Sequence, residues 1–172
     1  DLVLETPTWR ANPDWGQALG YSALALADVH RDAVALLAEV RAAYDSPATP
    51  VVISGNLGPR GDGYRAGDRM SATAAHDYHL AQIATFSGTE ADMVAAFTLG
   101  YPEEAIGIVD AAAACEMPVV ISFTLETDGR LPSGDALSEA ILRTDAETGS
   151  YAAYYMVNCV HPTHLAPALA GT

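Results

Sequence analysis

Short apolar runs rich in β-branched residues recur along the chain, separated by longer Ala- and Leu-rich stretches of helical period. The runs Leu2–Glu5, Val51–Ser54, Met93–Phe97, Val119–Phe123 and Ala153–Val157 are nearly continuous in apolar character, as expected of parallel strands covered on both faces. Between them, Ser22–Tyr44 predicts an amphipathic helix with Leu24, Val29, Leu36, Leu37 and Val40 near one face. Further helices are predicted over Thr73–Phe86, Pro102–Cys115 and Asp135–Thr148. Pro102 suits a first helical turn, and Glu103 and Glu104 sit at the positive end of that helix dipole. Asp135 reads as an N-cap, and Gly149 falls just past the end of its helix. His161–Leu169 begins as one more helix.

This alternation predicts an α/β fold built on a parallel sheet. A (β/α)8 TIM barrel needs about 250 residues, so the 172 residues here hold about five of its units, as one incomplete domain over residues 1–172. An open doubly wound sheet is the alternative, although no Gly-x-Gly-x-x-Gly follows the first run. The connections Thr6–Tyr21, Gly55–Ala72, Thr98–Tyr101, Thr124–Gly134 and Asn158–His161 all follow strand C-termini, where either architecture gathers its site. The abrupt start at Asp1 and the last helix cut short before Thr172 read as a segment of a longer protein.

Composition narrows the function. Half of the residues are apolar (50%), enough for a sizeable core. Asp and Glu number 22 against 8 Lys and Arg, and the net charge of −14 excludes a nucleic-acid binder, which needs a basic face. No apolar stretch approaches the roughly 18–20 residues needed to span a bilayer, and two cysteines cannot build a disulfide framework. These features predict a soluble, cytoplasmic chain.

Cys159 follows the last strand, which puts its thiol at the mouth of the sheet, where a metal ligand or nucleophile would sit; inert packing is the alternative. Cys115, near a helix end, reads as packing. With Cys159, His161 and His164 form Cys-x-His-x-x-His, but Pro162 and the helix start oppose joint metal ligation. His76 and His79 read as a structural pair on a helix, exposed or partly buried, and His30 as a helix-surface residue. The glycine-rich loop Gly55–Tyr64 lacks the Gly-Lys-Ser/Thr ending of a phosphate-binding loop and reads as a lid or set of tight turns, or as a substrate-contacting loop. Glu5 and Glu126 follow strands and are expected at the same mouth, as are Thr6, Thr8 and Thr98. A carboxylate there would receive a substrate ammonium, a solvated loop acid being the alternative. The remaining acids are expected over helix faces, where they aid solubility.

Taken together, Leu4-Glu5-Thr6-Pro7-Thr8-Trp9-Arg10-Ala11-Asn12, Ser54-Gly55-Asn56-Leu57-Gly58-Pro59, Ser122-Phe123-Thr124-Leu125 with Asp128-Gly129, and Val157-Asn158-Cys159-Val160-His161-Pro162 resemble the homocysteine S-methyltransferase family in order and spacing. The resemblance covers essentially the whole chain. It implies a (β/α)8 barrel of which these residues are similar to strands two to six. It also implies a zinc ion held by three cysteines, with Cys159 the first, and the adjacent pair of a Gly-Gly-Cys-Cys motif has no counterpart in this sequence. Zinc in such an enzyme lowers the pKa of the acceptor thiol, so that a thiolate attacks a donor methyl.

The expected substrate contacts are Glu5, Thr6, Asn56, Thr98, Glu126 and Asn158, the partners being a small-molecule thiol and a methyl donor. Phe97 stands where family members carry a glutamate for the homocysteine amino group, so Glu5 or Glu126 is expected to replace it, or the acceptor differs. With one zinc thiolate, the isolated segment is expected to be inactive and to self-associate as a homo-oligomer through its exposed sheet edge or open barrel face. The rival readings are a non-catalytic α/β binding or structural domain without metal, and a barrel enzyme for a phosphorylated substrate, which the acidic balance disfavours.

Overall fold

The computed structural model describes residues 2–65 and 67–169. Asp1 and the residues after Leu169, on which any reading of the chain ends rests, lie outside the described residues. Five parallel strands, β1 (Leu2–Glu5), β2 (Val51–Leu57), β3 (Met93–Leu99), β4 (Val119–Thr124) and β5 (Tyr154–Asn158), form one sheet in sequence order. Helices α2 (Ala23–Tyr44), α3 (Ala72–Ser87), α4 (Pro102–Ala114) and α5 (Leu137–Thr148) alternate with them, and a short α1 (Pro13–Ala18) and α6 (Pro162–Leu169) complete the chain. Consecutive parallel pairing with a helix in each crossover is the repeat of a (β/α) barrel, and the sheet curls into half of one. The doubly wound alternative is set aside, since no strand order reverses.

The helix-facing side of the sheet carries the core. Ile53, Leu57, Val94, Ala96, Val119, Ile121 and Phe123 pack there against Ile83 and Phe86 of α3 and Ala105, Ile108 and Val109 of α4. Gly107 lets α3 and α4 cross closely, since a Cβ there would lie 2.5 Å from Ala75 Cβ and from His76 N. Among the described residues no helix is long and apolar enough to cross a membrane.

Several local expectations are corrected. In α2 the buried stripe is His30, Ala33 and Val34, while Leu24 and Leu36 are exposed. An Ala-rich helix has little contrast between its faces, so the sequence did not fix its rotation. His30 is therefore not a surface residue: its ring packs at a tilt against Phe86, and its Nε2 lies 2.8 Å from Ala11 O. Asp135 is not an N-cap. The cap of α5 is Ala136, without a side-chain bond, because the Asp135 backbone closes a turn with Leu131. The loop after β1 contains α1, capped by Asn12 Oδ1 accepting from Trp15 N.

Candidate active site at the strand ends

The strand C-termini meet at an irregularity in β3. Register with β4 shifts between Ala96 and Leu99, and Thr98 adopts φ 67, a left-handed conformation uncommon for a β-branched residue. Three other loops converge on this bulge. Trp9, after β1, donates its indole N–H to Phe97 O at 3.1 Å. Gly63, after β2, packs so tightly that a Cβ there would lie 2.8 Å from Thr98 Cγ2 and O. Asn158, ending β5, accepts from Thr98 N at 3.0 Å through Oδ1 and donates to Thr98 Oγ1 at 2.9 Å through Nδ2. The same Oδ1 accepts from Ser122 Oγ at 2.8 Å, which ties β3, β4 and β5 through one side chain.

Cys159 follows directly, is exposed, and also adopts a left-handed conformation, φ 55. Its sulfur accepts from Asn158 Nδ2 and from the Tyr64 hydroxyl, both at 3.2 Å. The bond to Cys159 is the leading cause of the upward shift of the Tyr64 phenol. A strained backbone held by side-chain bonds is the arrangement found where a fold fixes a functional group.

A second group of residues sits at the ends of β1 and β2. Thr6 Oγ1 lies 2.7 Å from Thr8 Oγ1 and accepts from Asn56 N at 2.8 Å, and Thr8 Oγ1 donates to Asn56 O at 2.7 Å. The buried Thr6 and Thr8 thus clip the first loop to β2. Beside them, burial pushes the Glu5 carboxyl up to about 7, tempered by Ser54.

The glycine-rich loop spans both groups. Arg60 N donates to Glu104 Oε1 at 2.7 Å, and Arg60 Nε to Asp14 Oδ2 at 2.9 Å. The same Glu104 oxygen lies 3.0 Å from His79 Nε2, with both side chains wholly buried. His79 is thus corrected from an exposed or partly buried partner of His76 to a buried anchor beneath the loop. His76 instead pairs with Asp77.

Of the residues expected from the sequence, the structure joins Thr6 to Asn56 and joins Thr98, Asn158 and Cys159 to one another. Glu126 is exposed, its backbone N bonded to Arg130 O. His161 is exposed and bonds Thr163. Cys115 packs against the core, and burial pushes its thiol up. Trp9, Ser54, Tyr64 and Ser122 were not expected as site residues, although Trp9, Ser54 and Ser122 stand in the resembling motifs and Tyr64 closes the glycine-rich loop.

The profile of the family described as Homocysteine S-methyltransferase matches residues 2–172. The chain belongs to the homocysteine S-methyltransferase family. Solved structures agree on the fold. The metallated form of the homocysteine methyltransferase MmuM from Escherichia coli is similar at a TM-score of 0.84 and 22% identity, over 97% of this chain and 61% of that one. Its oxidized form gives 0.84 and 22% over 97% and 60%, and its apo form 0.71 and 20% over 97% and 59%. The chain therefore spans about three fifths of the length of these methyltransferases. No curated protein matches it significantly.

The family implies zinc, and the donors among the described residues are too few to hold it. Among the described residues no group of three or more His, Cys, Asp or Glu side chains could bind an ion. Catalytic zinc takes three protein ligands and an open position. Cys159 meets the needs of one such ligand, being exposed, at the strand ends and held in place by Asn158 and Tyr64.

Proposed function

We propose that the complete barrel, to which these residues contribute five βα units, transfers a methyl group to a small-molecule thiol such as homocysteine. Cys159 then serves as one of several zinc thiolates, the others coming from outside this sequence. The observation that supports the reading most is the Asn158 clamp, which sets Cys159 on a strained turn at the convergence of four loops. Such a clamp is what an exposed metal-binding thiol needs and a merely packed cysteine does not.

This chain's residues have separable roles in the proposal. Asn158 and Tyr64 orient the Cys159 sulfur. Thr6, Asn56 and Thr98 shape the mouth, with Glu5 on its β1 side and Glu126 at its rim. The loop carrying Tyr64 brings its hydroxyl to the sulfur. Zinc, when bound, supplies a Lewis acid that keeps an acceptor thiol ionised near neutral pH. The isolated chain, with a single thiolate, is inactive in this proposal, and it self-associates through its sheet edges or open face.

The test is methyl transfer to homocysteine by the complete barrel, supplied with zinc and with sulfonium, ammonium or folate donors in turn. Turnover that Cys159→Ser abolishes supports the reading. Turnover by the 172-residue chain alone, or by the Cys159→Ser barrel, would overturn it.

A further inference from the structure

We propose that the cavity between α1, α2 and α3 binds a small neutral molecule that presents one hydroxyl group on an apolar body. The cavity lies in the helix layer, away from the strand-end mouth, so its ligand is neither the methyl acceptor nor the methyl donor.

The cavity encloses about 320 Å3, within the range of small-molecule sites. Pro13 of α1, Leu26 and Ala27 of α2 and Ala81 of α3 supply apolar wall, and the exposed Gln17 and Tyr21 stand at the opening. Small side chains keep the space open. Where α3 and α4 meet closely at Gly107, Ala27 and Ala81 leave the contact of α2 with α3 unfilled. His30 lines the cavity with its ring against Phe86, and a Cβ on Gly55 of β2 would lie 2.7 Å from that same Phe86 ring. Phe86 thus stands between the cavity and the sheet, on the face opposite Ser54 and Asn56.

Two polar groups line this apolar space without partners. His30 and Gln82 are 2% and 5% exposed. His30 Nδ1 and Gln82 Nε2 have no hydrogen-bond partner among the described residues. Their chemistry is opposite. Ala11 O can only accept, so His30 Nε2, 2.8 Å from it, carries the ring proton. Burial holds the imidazole pKa below its usual value, which keeps the ring neutral at pH 7 and leaves Nδ1 a bare acceptor. Gln82 Nε2 is a donor. Each is costly to leave unmet, and together they mark a place for a group that both donates and accepts. Neighbouring hydroxyls are already engaged: Thr85 Oγ1 donates to Ala81 O at 2.8 Å, and Ser22 Oγ accepts from Ala25 N at 3.2 Å.

Among the described residues that line the cavity none is Asp, Glu or Arg, and the chain has no lysine. A charged ligand would lose its hydration there without a counter-charge. A carboxylate has no proton for Nδ1, and an ammonium has no lone pair for Nε2–H; a hydroxyl has both. Water would satisfy the two atoms but not the space, since at about 30 Å3 per molecule several waters would face apolar wall. A cavity of about 150 Å3 takes a benzene ring, so a ring with small substituents suits this one.

Equilibrium dialysis of the full chain against 4-methylphenol and 1,4-dimethylbenzene, which carries a methyl in place of the hydroxyl, tests the site in wild type, Gln82→Met and Ala27→Leu. Wild type should hold 4-methylphenol about fivefold more tightly or better, the effect of a hydrogen bond to a buried group. Gln82→Met keeps the side-chain length and removes the donor, and should narrow that preference about threefold. Ala27→Leu fills the cavity and should weaken 4-methylphenol binding about tenfold or more. Far-UV circular dichroism checks each fold; should Gln82→Met fail to fold, wild type and Ala27→Leu decide. Equal affinity of wild type for the two compounds, a preference unchanged in Gln82→Met, binding unchanged in Ala27→Leu, or no binding at millimolar ligand would overturn the site.

Discussion

His79 Nε2 and Glu104 Oε1 lie 3.0 Å apart, with neither side chain exposed. The same carboxylate oxygen accepts from Arg60 N at 2.7 Å, so the pair both joins α3 to α4 and pins the glycine-rich loop. Removing one partner leaves the other buried and unmatched. His79→Ala and Glu104→Ala should each cost about 3–5 kcal/mol, and urea unfolding at neutral pH measures it. Limited proteolysis should find the loop around Arg60 and Gly61 more open in both variants. A loss under about 1 kcal/mol would mean that the pair is dispensable.

Asn158→Ala removes bonds to Thr98, Ser122 and Cys159 at once. It leaves buried groups of Thr98 and Ser122 unpaired, so we expect a loss of about 2–3 kcal/mol in denaturant unfolding. Mass-spectrometric alkylation offers an independent check. Cys159 should react with iodoacetamide well before Cys115 in the wild type, since one thiol is exposed and the other packed. Equal labelling of the two would contradict the placement of Cys159.

Much of the fold is legible in the sequence. Short apolar runs mark all five strands, and the position of Cys159 after the last one predicts its place at the mouth. What escapes is contact between distant residues. Thr98 and Asn158 are 60 positions apart, and nothing local to either announces the bond. Glu104 reads as a dipole-friendly acid on a first helical turn, yet it is buried because His79, 25 positions earlier, faces it across the α3 and α4 crossing. The orientation of α2 is hidden for another reason: alanines on every side blur its polarity, and only packing against Phe86 reveals His30 as buried.

Stability should carry the imprint of Glu5. Its carboxyl is pushed up to about 7 when folded, against 4.5 ordinarily, so the folded state binds the proton more tightly. That binding favours folding fully below pH 4.5, and the advantage is lost as pH rises toward about 7. The side chain is only partly buried, so solvent screening holds the effect to on the order of 1 kcal/mol. Unfolding at pH 5 and pH 8 should show Glu5→Gln gaining relative to wild type at the higher pH. An unchanged difference would mean that Glu5 titrates normally.

Leu2 and Val3 of β1 and Tyr154 of β5 remain 43%, 44% and 47% exposed on the outer strands. Unpaired parallel edges with apolar side chains are templates for association. Sedimentation velocity of the chain should show concentration-dependent oligomers, reduced by Val3→Lys and Tyr154→Lys. A monomer at every concentration would contradict self-association.

In the proposed barrel Cys159 is a metal-binding thiolate of a methyltransferase. Zinc content of the purified complete barrel, in wild type and Cys159→Ser, tests it most directly. The wild-type barrel should hold about one zinc tightly and the serine variant should lose it, with Asn158→Ala weakening retention about 10–100-fold. Full zinc occupancy in Cys159→Ser would contradict it.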